Sequence, residues 1–202
     1  MSSPSSPAQT GAASPHAPHH APYIVGLGGT LRERSLSRAS LIEALRMAEA
    51  QGATTKLLDL RALNLPMYVP DYAIDDYPSE HQASIRALID ESRRAHAMVW
   101  ASPCYHGTVS GVFKNALDYI ELLSDTTPSY LNGKAIGLIA INDSKTFSAL
   151  SNSVHELQAW LAPTHVQLGK GDFDTDLHFS SERATRRVTR LVTELLEFAN
   201  RH

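Results

Sequence analysis

Two rhythms of apolar residues alternate along the chain. Uninterrupted apolar runs at 23–29 (YIVGLGG), 54–60 (TTKLLDL), 96–102 (HAMVWAS), 134–141 (KAIGLIAI) and 165–169 (HVQLG) predict strands buried on both faces. Between them, apolar residues recur every three or four positions, the period of a helix with one buried face. In SRASLIEALRMAEAQG, Leu41, Leu45 and Ala48 share a face, Arg38, Glu43 and Arg46 turn away, and Gly52 supplies a stop. The same spacing predicts helices over 79–94, 111–123 and 147–161, and over 181–202 along Val188, Leu191, Val192, Leu195 and Phe198. Pro66, Pro70 and Pro78 mark a long loop before the second helix.

Strands alternating with helices predict an α/β fold whose parallel sheet is covered on both faces. Right-handed crossovers leave few topologies, and a flavodoxin-like, doubly wound five-stranded parallel sheet in the order 2-1-3-4-5 is the expectation. Ligands of such sheets lie beyond the carboxyl ends of the strands, near the switch point between the first and third. Three loops are thereby singled out: 28–37, 103–110 and 142–147. One domain is expected over 22–202. Residues 1–21, MSSPSSPAQTGAASPHAPHHA, are rich in Pro, Ser and Ala and are expected to be a disordered tail, in which His16, His19 and His20 are incidental.

Composition narrows the field further. The formal net charge of −3 gives no reason to expect a nucleic-acid partner. Cys104 is the only cysteine, so no internal disulfide can form. No apolar run approaches the ~20 residues of a membrane span, and the opening residues lack the basic-then-apolar order of a secretory signal. A soluble cytoplasmic protein is the expectation.

The first loop, GLGGTLRERSLSRAS, fails the dinucleotide fingerprint because Leu31 stands where the third glycine is required, and no GxxxxGK[ST] occurs. What it does offer is Thr30, Ser35 and Ser37 as hydroxyl donors and Arg32 as a bidentate clamp, between a strand end and a helix start. That set suits one terminal phosphomonoester. The alternative is a plain helix cap by Ser35 or Ser37, with Arg32 and Arg34 solvated.

The second loop belongs to ASPCYHGTVSGVFKNALDYI, where a buried strand stops, exposes a polar patch and restarts as a helix. SPCYHGTVSGVFKNALDYIE, together with GGTLRERSLS and DLRALNLPMYVPDY, resembles the NAD(P)H-dependent FMN reductases, a family with quinone, azo-dye and chromate-reducing relatives. The resemblance runs from about residue 23 to the C-terminal helix. It implies FMN as cofactor, NAD(P)H as co-substrate, a small-molecule electron acceptor and a homodimer or homotetramer. It also implies that Thr30, Arg32, Ser35 and Ser37 hold the FMN phosphate and that the flavin ring lies against Pro103, Cys104, Tyr105, His106 and Gly107. Relatives often carry Asn at position 37, Glu at 104 and Asn at 106, so backbone contacts are the ones expected to persist there. Where relatives have a glycine-rich third loop, this chain has Asn142, Asp143 and Ser144, which either bond the ring or cap the next helix.

Rival readings are a flavodoxin-type electron carrier, a flavin-binding sensor, and a hydrolase using Cys104 or Ser110. GTVSG puts Ser110 one place away from a nucleophile elbow. DFDTDL carries Asp172, Asp174 and Asp176 but has Leu177 and Arg183 where a calcium loop needs glycine and glutamate.

Overall fold

The computed structural model describes residues 21–201, so the expected tail lies, but for residue 21, outside the described residues. Five strands, β1 (Tyr23–Gly28), β2 (Thr54–Asp59), β3 (Ala97–Pro103), β4 (Ala135–Ile141) and β5 (Trp160–Leu168), form one sheet in the order β2-β1-β3-β4-β5, and every pairing is parallel. This is the flavodoxin-like order expected from the sequence. Among the described residues six α-helices connect or close the strands: α1 (Leu36–Glu49), α2 (Leu60–Leu63), α3 (Ser79–Arg94), α4 (Gly111–Asp118), α5 (Thr146–Glu156) and α6 (Glu182–Ala199).

Alternate residues of the strands feed two cores. On one face Ile24, Val99, Ile139 and Val166 pack under Leu41 and Leu45 of α1 and Val188, Leu191 and Leu195 of α6. On the other, Val25, Leu27, Met98, Trp100 and Leu138 meet Ile85 and Leu88 of α3, Phe113 of α4 and Leu150 of α5. β3 and β4 are buried along their whole length, so their sequences are unbroken apolar runs. No helix among the described residues is long and apolar enough to cross a membrane.

The helix expected over 111–123 is α-helical only to Asp118 and tightens to a 3-10 helix over Tyr119–Leu123, and the junction before β5 is misplaced. The helix expected over 147–161 ends at Glu156, and the strand expected to begin at 165 begins at Trp160. Gln158 takes a left-handed φ of 60°, which terminates the helix, and the chain enters β5 at once. Pro163 hides this strand in the sequence. It is tolerated because β5 is an edge strand and its pairing with β4 slips register between Ile136 and Leu138. The long loop before α3 is also more ordered than expected: it carries α2, capped by Asp59, and buries Tyr77 against Tyr119, with ring centroids 5.6 Å apart.

Two close approaches fix the site's surroundings. A Cβ on Gly28 would stand 2.1 Å from the Ala101 carbonyl oxygen, where β1 and β3 end side by side. Farther along the chain, His178 Nδ1 lies 2.9 Å from Oε1 of the buried Glu43 and ties the loop after β5 to α1.

Gly28→Ala should destabilise the protein by about 3 kcal/mol or more, since neither backbone can yield without breaking the β1–β3 ladder. Thermal unfolding is the check, with a fall of roughly 6–12 °C expected for a chain of this size. A second outcome concerns pH. Its hydrogen bond to Glu43 raises the His178 pKa above the ordinary histidine value. The interaction therefore contributes fully below about pH 6.5, the unfolded value, and is lost as pH rises through the raised folded value. Urea midpoints of the wild type and His178→Ala should differ most at pH 5.5 and converge by pH 9.

Candidate functional site

The loop between β1 and α1 is shaped by its own hydroxyls. Gly29, at φ 104°, turns the chain away from β3 and places Thr30 beneath the loop. Thr30 Oγ1 accepts from the Arg32 amide at 3.1 Å. Ser35 caps α1, its Oγ accepting from the Arg38 amide at 3.2 Å, and lies 3.0 Å from Ser37 Oγ. Thr30, Ser35 and Ser37 are buried while residues 31–34 are exposed. The helix-cap reading of Ser35 is thus realised in this structure. It leaves the amides of Leu36 and Ser37, at the positive end of the helix, without intrahelical partners.

The arginines of this segment divide by partner. Arg38 is bound by Asp59, Nε to Oδ2 at 2.7 Å, and Arg34 donates to the carbonyl of Thr175. Arg32 makes no ion pair or side-chain hydrogen bond among the described residues. It is free to meet an anion.

In the second loop Ser102 Oγ donates to the Pro103 carbonyl at 3.0 Å and accepts from the Ser110 amide at 3.1 Å, clamping the two ends. Tyr105 and Thr108 exchange backbone hydrogen bonds of 2.9 and 3.2 Å. Between them His106 (φ 53°) and Gly107 (φ 85°) both adopt positive φ, the signature of a type I′ turn. Most of the loop's amides are consequently spoken for: Cys104 donates to Ile141 O at 3.2 Å, and Tyr105, Thr108 and Ser110 are engaged as above. His106 and Gly107, at the exposed tip, keep theirs. Asn and Gly are the residues that tolerate left-handed φ most easily, and here a histidine takes that conformation.

The third loop is largely self-contained. Asn142 (φ 74°) donates to Leu168 O at 2.8 Å. Asp143 Oδ1 accepts from the Lys145 amide at 2.9 Å, and the Lys145 ammonium stands 3.7 Å from its Oδ2. Ser144 contributes its carbonyl to Phe147. Beside these, the hydroxyl of Thr146, first residue of α5, is buried without a hydrogen-bond partner.

The loops converge. Thr30, Arg32, Ser35 and Ser37 line one crevice of about 80 Å³ together with Pro103, Tyr105 and Asn142. Cys104, His106, Gly107, Asp143 and Ser144 do not line it. Arg34, Leu36 and Ile141 do, and the sequence reading missed them as site residues. Adjacency to Arg32 was the available signal for Arg34, but its engagement with Thr175 depends on a loop 141 residues away. Two guanidinium groups, three buried hydroxyls and a helix N-terminus face the crevice and no carboxylate lines it. Such a set, cationic and rich in hydrogen-bond donors, fits one compact phosphate. The residues present therefore fit the phosphate end of FMN.

Ser110 is a helix cap: its buried Oγ accepts from the Phe113 amide at 3.4 Å. Cys104 is a half-buried free thiol with no side-chain hydrogen bond. Neither meets a histidine or carboxylate, so neither has the partner a hydrolytic nucleophile needs. No cluster of three or more metal-ligating side chains occurs among the described residues.

An open parallel sheet with a crevice lined by arginines and hydroxyls at its switch point defines a doubly wound α/β protein. Within that class the chain belongs to the NADPH-dependent FMN reductase family, whose model matches residues 22–171. Membership carries FMN as the cofactor and NAD(P)H as the co-substrate. Among similar proteins is the NADPH-dependent FMN reductase ArsH of Acidithiobacillus ferrooxidans, 31% identical over 188 residues that cover 89% of this chain and 74% of that protein. The FMN-dependent NADPH-azoreductase of Staphylococcus haemolyticus is 28% identical over 129 residues, 60% of this chain and 65% of its own length. Of solved structures, the flavoenzyme NAD(P)H:acceptor oxidoreductase FerB of Paracoccus denitrificans superposes with a TM-score of 0.69 at 19% identity, over 90% of this chain and 98% of that one.

The turn geometry yields a stability test separate from ligand binding. His106→Val, which puts a β-branched residue at φ 53°, should cost about 1–2 kcal/mol, while His106→Asn should be neutral or slightly stabilising. Urea denaturation of the two variants distinguishes them, and equal stability would remove the turn assignment.

Proposed function

We propose that the 80 Å³ crevice seats the phosphate of FMN and that the loops around Tyr105 and Asn142 border its ring. The observation that carries this reading is the junction itself: unpaired Arg32, buried Thr30, Ser35 and Ser37, and the start of α1 all face one small space at the β1–β3 switch point. Arg32 neutralises the incoming dianion, and its planar fork meets two oxygens at once. Ser35 and Ser37, now bonded to each other, turn their hydroxyls to the phosphate, and the amides of Leu36 and Ser37 complete the cradle. At the second loop, the tip amides of His106 and Gly107 are the donors left for ring heteroatoms, with Pro103 and Tyr105 as the apolar border. Cys104, Asp143 and Ser144 flank this border from the same two loops.

Bound FMN supplies the redox chemistry, taking a hydride from the nicotinamide and passing two electrons to a second acceptor. In this reading the acceptor is a free flavin, a quinone, an azo compound or an oxidised metal. The chain's part is to hold the phosphate, orient the ring and leave one face open, and no side chain is required as acid or base. The reading includes assembly as a homodimer or homotetramer and a cytoplasmic location.

Purified protein titrated with FMN should show flavin absorbance that bleaches when NADPH is added without oxygen. Arg32→Ala should weaken FMN binding about tenfold to a hundredfold with the melting temperature unchanged. Unaltered flavin affinity in that variant would remove the phosphate assignment. Flavin that binds but is not bleached by NADPH would make the protein a carrier or sensor.

A further inference from the structure

A second concentration of positive charge lies along the sheet's edge, beyond the third loop. Arg183, Arg186, Arg187 and Arg190, spaced i, i+3, i+4 and i+7, share one side of α6. With Thr164 and His165 of β5 they line a groove of about 580 Å³. The chain as a whole is formally −3, so this is a local excess. Two carboxylates offset part of it: Asp172, 3.6 Å from Arg183, and Glu194, 3.1 Å from Arg190 and held by the Thr164 amide and hydroxyl at 2.9 and 2.6 Å. Arg183 donates to the carbonyl of Gln167 at 3.4 Å, and Arg187 to that of His165. Those bonds aim the guanidinium groups along the edge strand without cancelling their charge. Arg186 is exposed and makes no ion pair or side-chain hydrogen bond among the described residues.

Gln167 lies between the groove's arginines and the candidate site, accepting from Arg183 through its carbonyl. Gln167 Nε2 donates to the carbonyl of Asn142 at 3.2 Å, and Asn142 lines the phosphate crevice. From Arg183 to Arg190 the helix rises about 10 Å. That is a length suited to an extended dinucleotide arm running away from the ring. Arginine, rather than lysine, is the residue whose planar fork matches phosphate oxygens. No large apolar side chain lines the groove, unlike the core of a protein interface.

We propose that this groove is the subsite for the phosphorylated adenosine end of NADPH, with Arg186 meeting the 2′-phosphate. The proposal rests on the flavin reading above and extends it to the co-substrate: the groove selects the phosphorylated dinucleotide over its unphosphorylated counterpart. The dinucleotide enters with its nicotinamide toward Asn142 and its adenosine end down the β5–α6 edge.

Adenosine 2′,5′-bisphosphate is the probe, with 5′-AMP as its control, titrated calorimetrically into the FMN-loaded protein. Wild type should bind the bisphosphate in preference to 5′-AMP. Arg186→Glu should weaken the bisphosphate about tenfold or more while FMN affinity stays at the wild-type value. In turnover, the KM for NADPH should rise in this variant and that for NADH should not. Arg186→Lys should recover part of the preference, and Arg190→Gln should lower it independently. Bisphosphate binding that ignores both Arg186→Glu and Arg190→Gln would overturn the assignment. So would a variant that alters subunit number by light scattering but not bisphosphate affinity, since the groove would then belong to self-association. A wild-type protein that takes up no FMN would instead defeat the flavin reading itself, so the two failures are distinguishable.

Discussion

At the carboxyl end of β1 the Ala101 carbonyl occupies the space where a side chain on Gly28 would have to stand. β1 and β3 are neighbours in the sheet, and their helices leave on opposite faces, so the chains must part just past this contact. A strand that ends with no side chain and turns through Gly29 frees the space between the two departing loops. The buried hydroxyls of Thr30, Ser35 and Ser37 occupy one wall of it, Pro103 and Tyr105 the other. The site is a consequence of the topology, and its chemistry is what the sequence places on those walls.

Charge is organised on the same principle. A formal charge of −3 spread evenly would repel an anion, yet the crevice between the first and second loops is lined by Arg32 and Arg34 and by no carboxylate. Arg38 stands beside this loop but is neutralised by Asp59 at the end of β2, which leaves Arg32 and Arg34 as the cations without an ion pair among the described residues, Arg34 tied to the Thr175 carbonyl. The edge groove repeats the pattern with four arginines and two carboxylates. Net charge speaks to a protein's solubility and its long-range encounters, whereas local pairing decides which cations remain for a ligand.

The loops differ in how much freedom they keep. The second loop spends its backbone on a tight turn clamped by Ser102, which leaves the His106 and Gly107 amides at its tip unbonded among the described residues. In the third, Asp143 is occupied by Lys145, and only Asn142 reaches the crevice. The loop after β5 is drawn toward α1 by Glu43 and toward the first loop by Arg34. Four chain segments thus meet at one rim, each anchored by hydrogen bonds that need no ligand.

Much of this was legible from the residues alone. The buried strands announce themselves because both their faces must be apolar, and alternation with amphipathic helices admits few parallel topologies. Thr30, Arg32, Ser35 and Ser37 stood out because hydroxyls and an arginine between a strand end and a helix start have few uses there. The start of β5 was not legible, because Pro163 is a strand breaker everywhere but at an edge or a bulge, and only the assembled sheet makes β5 an edge. Nor was the difference between Arg32 and Arg34, or the bond from Arg183 to Gln167, whose own side chain bonds Asn142. Those facts depend on which distant carbonyl or carboxylate comes within hydrogen-bond reach. Periodicity is local and survives in the sequence, while pairing is a property of positions brought together by the fold.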